Sequence, residues 1–549
     1  MKKRSGISIM INLIGFIKPL LIPMVFAVIL GVAGHFAAIG IPYLSARIVV
    51  AMIQEHSFII FLVLLVLCGL LRGVFRYGEQ ALNHFIAFKL LAHIRHQVFA
   101  KLRTLAPAKL ETKDRGNLVA MITNDVELLE VFYAHTISPI LIAVIVSIIV
   151  VSTIAVKGGV IALIPLIALL LVGFVIPLIA SRLGNHKGLE MRNDLGDLNS
   201  RVLDSIRGIE ELEQYQNAQR TMDLLKQRTH DINDKQKKLS SYQGITRVIV
   251  DLIVIVSGVA ILYFGRNLDL NTLLLIFTLQ MSSFGPVIAL SNLSGDLYHT
   301  LASGQRILDL LDEAPQVQEV IEGETVSFEG ASFEDVSFKY QEEPVLEHLS
   351  LTIPKHKIIA ITGESGAGKS TLLKLLMRFW DVNEGNVLIS DTKIETIKTS
   401  CLRNMESLMS QDTDIFKDTI RNNIALVKPN ATDAAIVAAS KQASIHDFIM
   451  SLPNGYDTMM DELGDNLSSG ERQRIGLARV FLHDGDFILL DEPTSNLDSL
   501  NEAIILKSLV EHKKDKTILI VSHRKSTIQI ADEVWELENG TLTHIEKQI

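Results

Sequence analysis

Six runs of about 20 predominantly apolar residues, near 18–43, 58–82, 136–156, 159–181, 245–265 and 272–292, occupy the first half of this chain. That is the length a helix needs to cross the hydrocarbon of a bilayer, where every backbone polar group must be paired within the segment. The first half is therefore expected to be a bundle of membrane helices. At 549 residues, 48% of them hydrophobic, the chain is too long for one core. The mixed composition of its remainder predicts a second, soluble α/β domain. The expected boundaries are 1–310 for the membrane domain, 311–329 for a linker and 330–549 for the soluble domain.

The start, "MKKRSGISIMINLIGFIKPL", joins basic residues to an apolar run, as a secretory signal does. No small-residue cleavage site with a polar mature start follows, and the apolar pattern continues to Tyr43, so the segment reads as an uncleaved lead-in helix and first span. Short connections near 44–57, 157–158 and 266–271 carry only Arg47, Lys157 and Arg266, whereas the long polar loops 83–135 and 182–244 hold Lys89, Arg95, Lys101, Arg103, Lys109 and many more. The positive-inside tendency then places the long loops, both termini and the soluble half in the cytoplasm. Apolar residues at three and four spacing make those loops helical extensions of the spans, broken at Pro107 and turned at Gly116 to form an elbow for the soluble domain.

Charge and cysteine content narrow the partners. A net charge of −9 with no basic stripe in the soluble half gives no reason to expect nucleic acid. Cys68 and Cys401 alone build neither a disulfide framework nor a thiolate metal site. Two ionisable residues lie near the cytoplasmic ends of spans, His84 and Asp251; each reads either as a ligand group or as a wet, helix-paired side chain.

In the soluble half, "IIAITGESGAGKSTLLKLL" sets an apolar strand, a glycine loop and a helix in the order of a phosphate-binding loop. Gly363, Gly366 and Gly368 permit close backbone approach, and the N–H groups from Glu364, Ser365 and Ala367 through Thr371 are available to phosphate oxygens. Lys369 offers a point charge to the β- and γ-phosphates and Ser370 a hydroxyl to magnesium. "FILLDEP" is a continuous apolar strand ending in two acids, as a parallel strand buried on both faces should be. Asp491 suits the metal shell and Glu492 the polarising of an attacking water. "TILIVSH" brings His523 to the same edge, Gln411 follows another short apolar stretch and can complete the metal or water geometry, and Tyr340 reads as a purine-stacking ring or as edge packing. "NLSSGERQRIGLARV" is a second Gly-centred turn opening an amphipathic helix, about a hundred residues later.

The ordered set Tyr340, "GESGAGKST", Gln411, "LSSGERQ", "ILLDEP", "SNLD" and His523 resembles the ATPase of the ABC transporter superfamily from about 330 to 540. With six spans before it, the chain resembles a half-transporter of the type IV exporter fold: an α-helical six-span membrane domain followed by an α/β P-loop NTPase domain. The resemblance implies ATP and Mg2+ as ligands, with Ser370, Gln411 and Asp491 as metal residues and Glu492, His523 and Lys369 as catalytic ones. It also implies that the signature turn Leu467, Ser468, Ser469, Gly470 and Glu471, with Asp498, meets the ATP held by a second subunit. Ser469 stands where that family usually has glycine, and Asp461 replaces another glycine common in exporters.

One membrane stretch, 76–140, is similar to the CydC subunit of the bacterial CydDC exporter in Arg76-Tyr77, His84, the "LAPA" break, "DVELL" and "ISP". That resemblance implies a bacterial cell-membrane location among lipid, a CydD-like partner in a heterodimer, and small-molecule cargo of the cysteine, glutathione or haem kind in support of cytochrome bd assembly. His84 matches that family's candidate haem ligand, whereas Gln80 stands where an arginine can meet a propionate. A homodimeric multidrug or lipid exporter, and a membrane ATPase that regulates without moving cargo, are the competing expectations.

Overall fold

The computed structural model describes residues 4–111, 115–340, 342–461, 464 and 466–545; the basic start at 1–3 lies outside them. The chain divides into two compact units, Met1–Arg103 with Lys113–Glu313, and Thr104–Thr112 with Ala314–Ile549.

The first unit is helical. Among the described residues five helical runs are long and apolar enough to cross a membrane: Lys18–Ile53, Ile59–Leu105, Gly116–Ile179, Ala218–Phe264 and Leu270–Leu290. The six expected apolar segments thus fall in five helical runs among the described residues, because the segments 136–156 and 159–181 share one 64-residue run. Within it the helix Ser138–Gly158 stops at Gly159, whose φ of +56° suits a residue without Cβ, and a short 3-10 turn, Gly159–Ala162, leads into the helix Leu163–Leu170. The helices Ile59–Leu105 and Ala218–Phe264 have 47 residues each. At 1.5 Å per residue they reach about 70 Å, more than twice a hydrocarbon core. The long polar loops are therefore continuations of the spans, as their periodicity implies. Gly116 is not a turn; it lies inside the helix Arg115–Ala120. Pro107 follows a cis peptide bond. Among the described residues three π-helical turns interrupt the α-geometry, at Met121–Asp125, Tyr133–Ile137 and Leu171–Val175.

The second unit is built on two sheets. Strands β1 (Gly330–Lys339), β2 (Pro344–Pro354), β4 (Glu384–Ile389) and β5 (Thr392–Lys393) form an antiparallel sheet in the order β2-β1-β4-β5. Strands β3 (Ile358–Thr362), β6 (Glu406–Met409), β7 (Phe487–Asp491), β8 (Thr517–Val521), β9 (Glu533–Glu538) and β10 (Thr541–Ile545) form the other, in the order β10-β9-β3-β8-β7-β6. Every pair from β9 to β6 is parallel.

Alternation along the central strands divides the core. Ile358 and Ala360, Ile488 and Leu490, Ile518 and Ile520 enter one buried cluster, with residues of the helices Ser469–His483 and Ser499–His512. Ile359 and Ile361, Phe487 and Leu489, Leu519 and Val521 enter another, with the antiparallel sheet and the helix Lys369–Leu376. The period of two in a strand makes that division, and covering both faces is what a parallel sheet of continuous Ile, Leu and Val requires. The carboxyl ends of β3, β8, β7 and β6 therefore share one edge, where the glycine loop, His523, Glu492 and Gln411 follow.

Candidate functional site

The glycine loop leaves β3 at Gly363. Its φ is +140°, and a Cβ there would come within 2.2 Å of the Leu537 carbonyl oxygen, so no other residue fits. Gly366 and Gly368 have φ of +88° and +101°. Such alternation of backbone hand curls successive N–H groups into an anion-binding concavity, and the helix that starts at Lys369 adds its positive end. Lys369 Nζ donates to the carbonyl oxygens of Gly363 (2.9 Å) and Glu364 (2.6 Å), which holds its charge within the loop. Ser365 is exposed, whereas Ala367 packs against the core.

Asp491 ends β7 almost buried and hydrogen bonds to Ser370. Burial is the main cause that pushes its carboxyl above the usual range; the Ser370 bond opposes this, the adjacent Glu492 charge adds to it, and Lys369 opposes it. A buried carboxylate and a hydroxyl are hard oxygen donors that fit a magnesium ion. Gln411 is exposed two residues beyond the end of β6, the neighbour of β7.

Glu492 adopts φ +49°, a left-handed conformation costing roughly 1–3 kcal/mol in a non-glycine residue. Its N–H donates to Val521 O at 2.8 Å and its carbonyl accepts from Gln473 Nε2 at 2.8 Å, which fixes the kink from both sides. Its carboxylate Oε1 lies 3.1 Å from His523 Nδ1. Tyr340 is half-buried in T-shaped contact with Phe338 and Trp380, and its hydroxyl sits 3.0 Å from Thr371 Oγ1, beside the loop.

The signature turn opens the helix Ser469–His483. Ser468 and Glu471 form a reciprocal capping box: Ser468 Oγ accepts from the Glu471 N–H at 3.3 Å, and Glu471 Oε2 accepts from the Ser468 N–H at 2.8 Å. Leu467 is buried in the core, while Ser468 and Ser469 are exposed. A Cβ on Gly470 would lie 2.8 Å from the Asn496 carbonyl oxygen, so this glycine lets the turn rest against the "SNLD" segment. Asp498 caps the following helix by accepting from the Asn501 N–H at 2.8 Å, and that bond is the first cause holding its carboxyl below the usual range. Asp461 is exposed.

Two further residues tie these parts together, and nothing in their local pattern announces it. Gln473 is buried; besides Glu492 O, its Nε2 donates to Ser495 Oγ at 3.0 Å, and its Oε1 accepts from the Asn496 N–H at 3.3 Å. Arg524, next to His523, donates to Ser495 O (2.8 Å), Leu497 O (3.3 Å) and Glu502 Oε2 (2.9 Å).

In the membrane unit, His84 Nδ1 lies 3.2 Å from Glu130 Oε1, and its ring meets that of His135 edge-on at 5.4 Å. A cavity of about 500 Å³ is lined by His35, Arg72, Arg76, Glu79, Gln80 and His135, among others. Arg76 pairs with the buried Glu79 at 2.8 Å. Arg76 and Arg72 stand one and two turns before Gln80 on the same helix. Asp251 is exposed on its helix, and Cys68 and Cys401 are both free thiols.

Comparison with known proteins agrees with this architecture. The ABC transporter transmembrane region family matches residues 24–286 and the ABC transporter family residues 346–495. A probable ABC transporter ATP-binding/permease protein of Haemophilus influenzae is 44% identical over 98% of this chain and 100% of its own length. A putative multidrug export ATP-binding/permease protein of Bacillus subtilis is 30% identical over 96% of this chain and 94% of its own. An ATP-dependent lipid A-core flippase of Mannheimia succiniciproducens is 30% identical over 87% and 84%. The solved structure of a bacterial Atm1-family ABC exporter with ATP bound superposes with a TM-score of 0.83 at 25% identity, covering 96% of this chain and 94% of that one.

A helical membrane unit fused to a P-loop ATPase of this layout defines an ATP-driven exporter half-transporter. The chain belongs to the ABC transporter family, as a multi-pass protein of the bacterial membrane.

Proposed function

We propose that this chain supplies half of each of two ATP sites in a dimeric exporter. The observation that carries the reading is the division of labour within its ATPase unit. The glycine loop, Asp491, Glu492 and His523 gather at one sheet edge, while Ser468 and Ser469 stand exposed at a helix N-terminus suited to an anion. ATP bound at residues 363–371, with Tyr340 against its base, meets the signature turn and Asp498 of the second subunit. Ser370, Gln411 and Asp491 would hold Mg2+, which supplies charge neutralisation to the phosphates when bound. Glu492 orients and polarises water, and His523, hydrogen bonded to it, contacts the γ-phosphate. ATP joins the subunits only because it binds the closed pair better than the open one, and hydrolysis removes that preference.

The membrane run Gly116–Ile179 is read as two crossings, which gives six in all and puts both termini and the ATPase unit on the cytoplasmic side. For cargo, the resemblance to CydC and the guanidinium group of Arg72 in the cavity favour a small carboxylate-bearing thiol, such as glutathione or cysteine, or haem, moved with a CydD-like partner. A homodimeric lipid or multidrug exporter is the second reading, favoured by the flippase and multidrug relatives. ATP-dependent accumulation of labelled glutathione or haem in inside-out vesicles, abolished by Arg72→Ala with Arg76→Ala, supports the first. Lipid translocation by vesicles that accumulate neither supports the second.

A further inference from the structure

Among the described residues, His84, Glu130 and His135 each bring one ligand atom into a group whose members lie within 4.8 Å of one another. We propose that they form a binding site for a divalent transition-metal ion at the edge of the membrane-unit cavity. Two imidazoles and one carboxylate are the donor set that zinc and its neighbours take, and ligand atoms about 2.0–2.1 Å from a tetrahedral ion stand about 3.3 Å from each other. The His84–Glu130 separation of 3.2 Å already matches that edge.

The backbone is arranged for it. In a regular α-helix residues five apart point about 140° away from one another, so Glu130 and His135 would diverge. Here the turn Tyr133–Ile137 is π-helical, and Thr136 Oγ1 donates to the carbonyl of Val131, five residues back. A π-turn brings positions five apart onto one face, and such turns concentrate at functional sites. His84 faces them from the long helix Ile59–Leu105. Three protein ligands leave a coordination position open, and His135 also lines the cavity, so cargo or water can reach it. Glu130 offsets part of the ion's charge, and Arg76 in the same cavity is already paired with Glu79. His84 is shared with the haem reading, whereas Glu130 and His135 belong to the metal site alone.

The test uses the full-length protein without a polyhistidine tag in lipid nanodiscs, stripped with a chelator and titrated with zinc in excess magnesium, so that the ATP site is not counted. One zinc per chain is expected. Its affinity should fall at least ~10-fold in His84→Ala, Glu130→Gln and His135→Ala, with each variant checked for monodisperse elution. X-ray absorption at the zinc edge of the wild type needs no variant and should show two imidazoles at about 2.0–2.1 Å. A wild-type protein that takes up no zinc, a zinc shell without two imidazoles, or full affinity in His135→Ala overturns the site. Haem absorbance lost in His84→Ala but kept in His135→Ala reports on the haem reading alone.

Discussion

His523 Nδ1 lies 3.1 Å from Glu492 Oε1, and the two residues are delivered by adjacent parallel strands in register, with Asp491 opposite Val521. In the proposed mechanism a water-polarising carboxylate is thereby held by a neighbour that itself reaches the phosphate edge. Glu492→Gln keeps the shape and removes the base. Steady-state ATP hydrolysis should fall at least ~100-fold, the usual worth of general base catalysis, while ATP binding by equilibrium dialysis stays within about twofold. His523→Ala should lower turnover in the same direction. A Glu492→Gln protein that keeps more than about a tenth of the wild-type rate would remove Glu492 from this role.

Gln473 ties the signature helix to the backbone of Glu492 and to the "SNLD" segment through Ser495 and Asn496. Gln473→Ala leaves buried polar partners unpaired, at a cost of about 1–3 kcal/mol, and frees the kink at Glu492. Because the glycine loop is untouched, kcat should drop while the Kd for a fluorescent ATP analogue holds. An equal loss of both would point to general unfolding of the unit.

Two loop glycines should respond differently. Gly363→Ala sets a methyl group 2.2 Å from a carbonyl oxygen, whereas at Gly366 a Cβ meets nothing within 4 Å. Gly366→Ala therefore meets no protein atom and costs the fold only the conformational penalty of a positive φ, about 1–2 kcal/mol, so its thermal midpoint should stay closer to wild type. Gly363→Ala should lose nucleotide binding and lower the thermal midpoint, both readable in one nucleotide-dependent melting assay.

Much of the fold around the proposed site was legible in the sequence because the residues proposed for ATP are contiguous or end apolar strands. Residues 363–371 specify a loop whose glycines the structure then shows in positive φ. "FILLD" and "TILIV" are fully buried in neighbouring parallel strands, as continuous apolar runs require. Apolar segments and helical runs differ in number because hydropathy separates segments at Gly158 and Gly159, while helical geometry continues on either side. The contacts of Gln473, which ends "LSSGERQ", and of Arg524 were not legible because their partners are backbone groups, a small hydroxyl and the Glu502 carboxylate about 20 to 30 residues away, a relation that periodicity does not encode. Glu130 escaped notice for a similar reason. Only a π-turn puts it beside His135, and the α-helical spacing of "DVELLEVFYAH" points the two apart.

Glu406 starts β6 fully buried, 3.5 Å from Arg403. Burial pushes its carboxyl well above the ordinary glutamate range, against the pull of Arg403. The folded chain therefore keeps a proton that the unfolded chain releases. The stability this group contributes is fully present below the unfolded value and is lost as pH rises through the raised folded one. Glu406→Gln is neutral throughout and should escape that loss. The melting temperature of Glu406→Gln relative to wild type should rise between pH 5 and pH 8 and converge toward wild type in acid. A difference independent of pH would show that Glu406 is ionised in the fold.

The central claim is that neither ATP site is complete within one chain. Lipid nanodiscs loaded with a single copy and discs loaded with two half-transporters, of this chain or of this chain with its partner, separate the possibilities by ATP turnover per chain. Turnover in two-copy discs with none above background in single-copy discs is the predicted result. Equal turnover per chain in single-copy discs would contradict it.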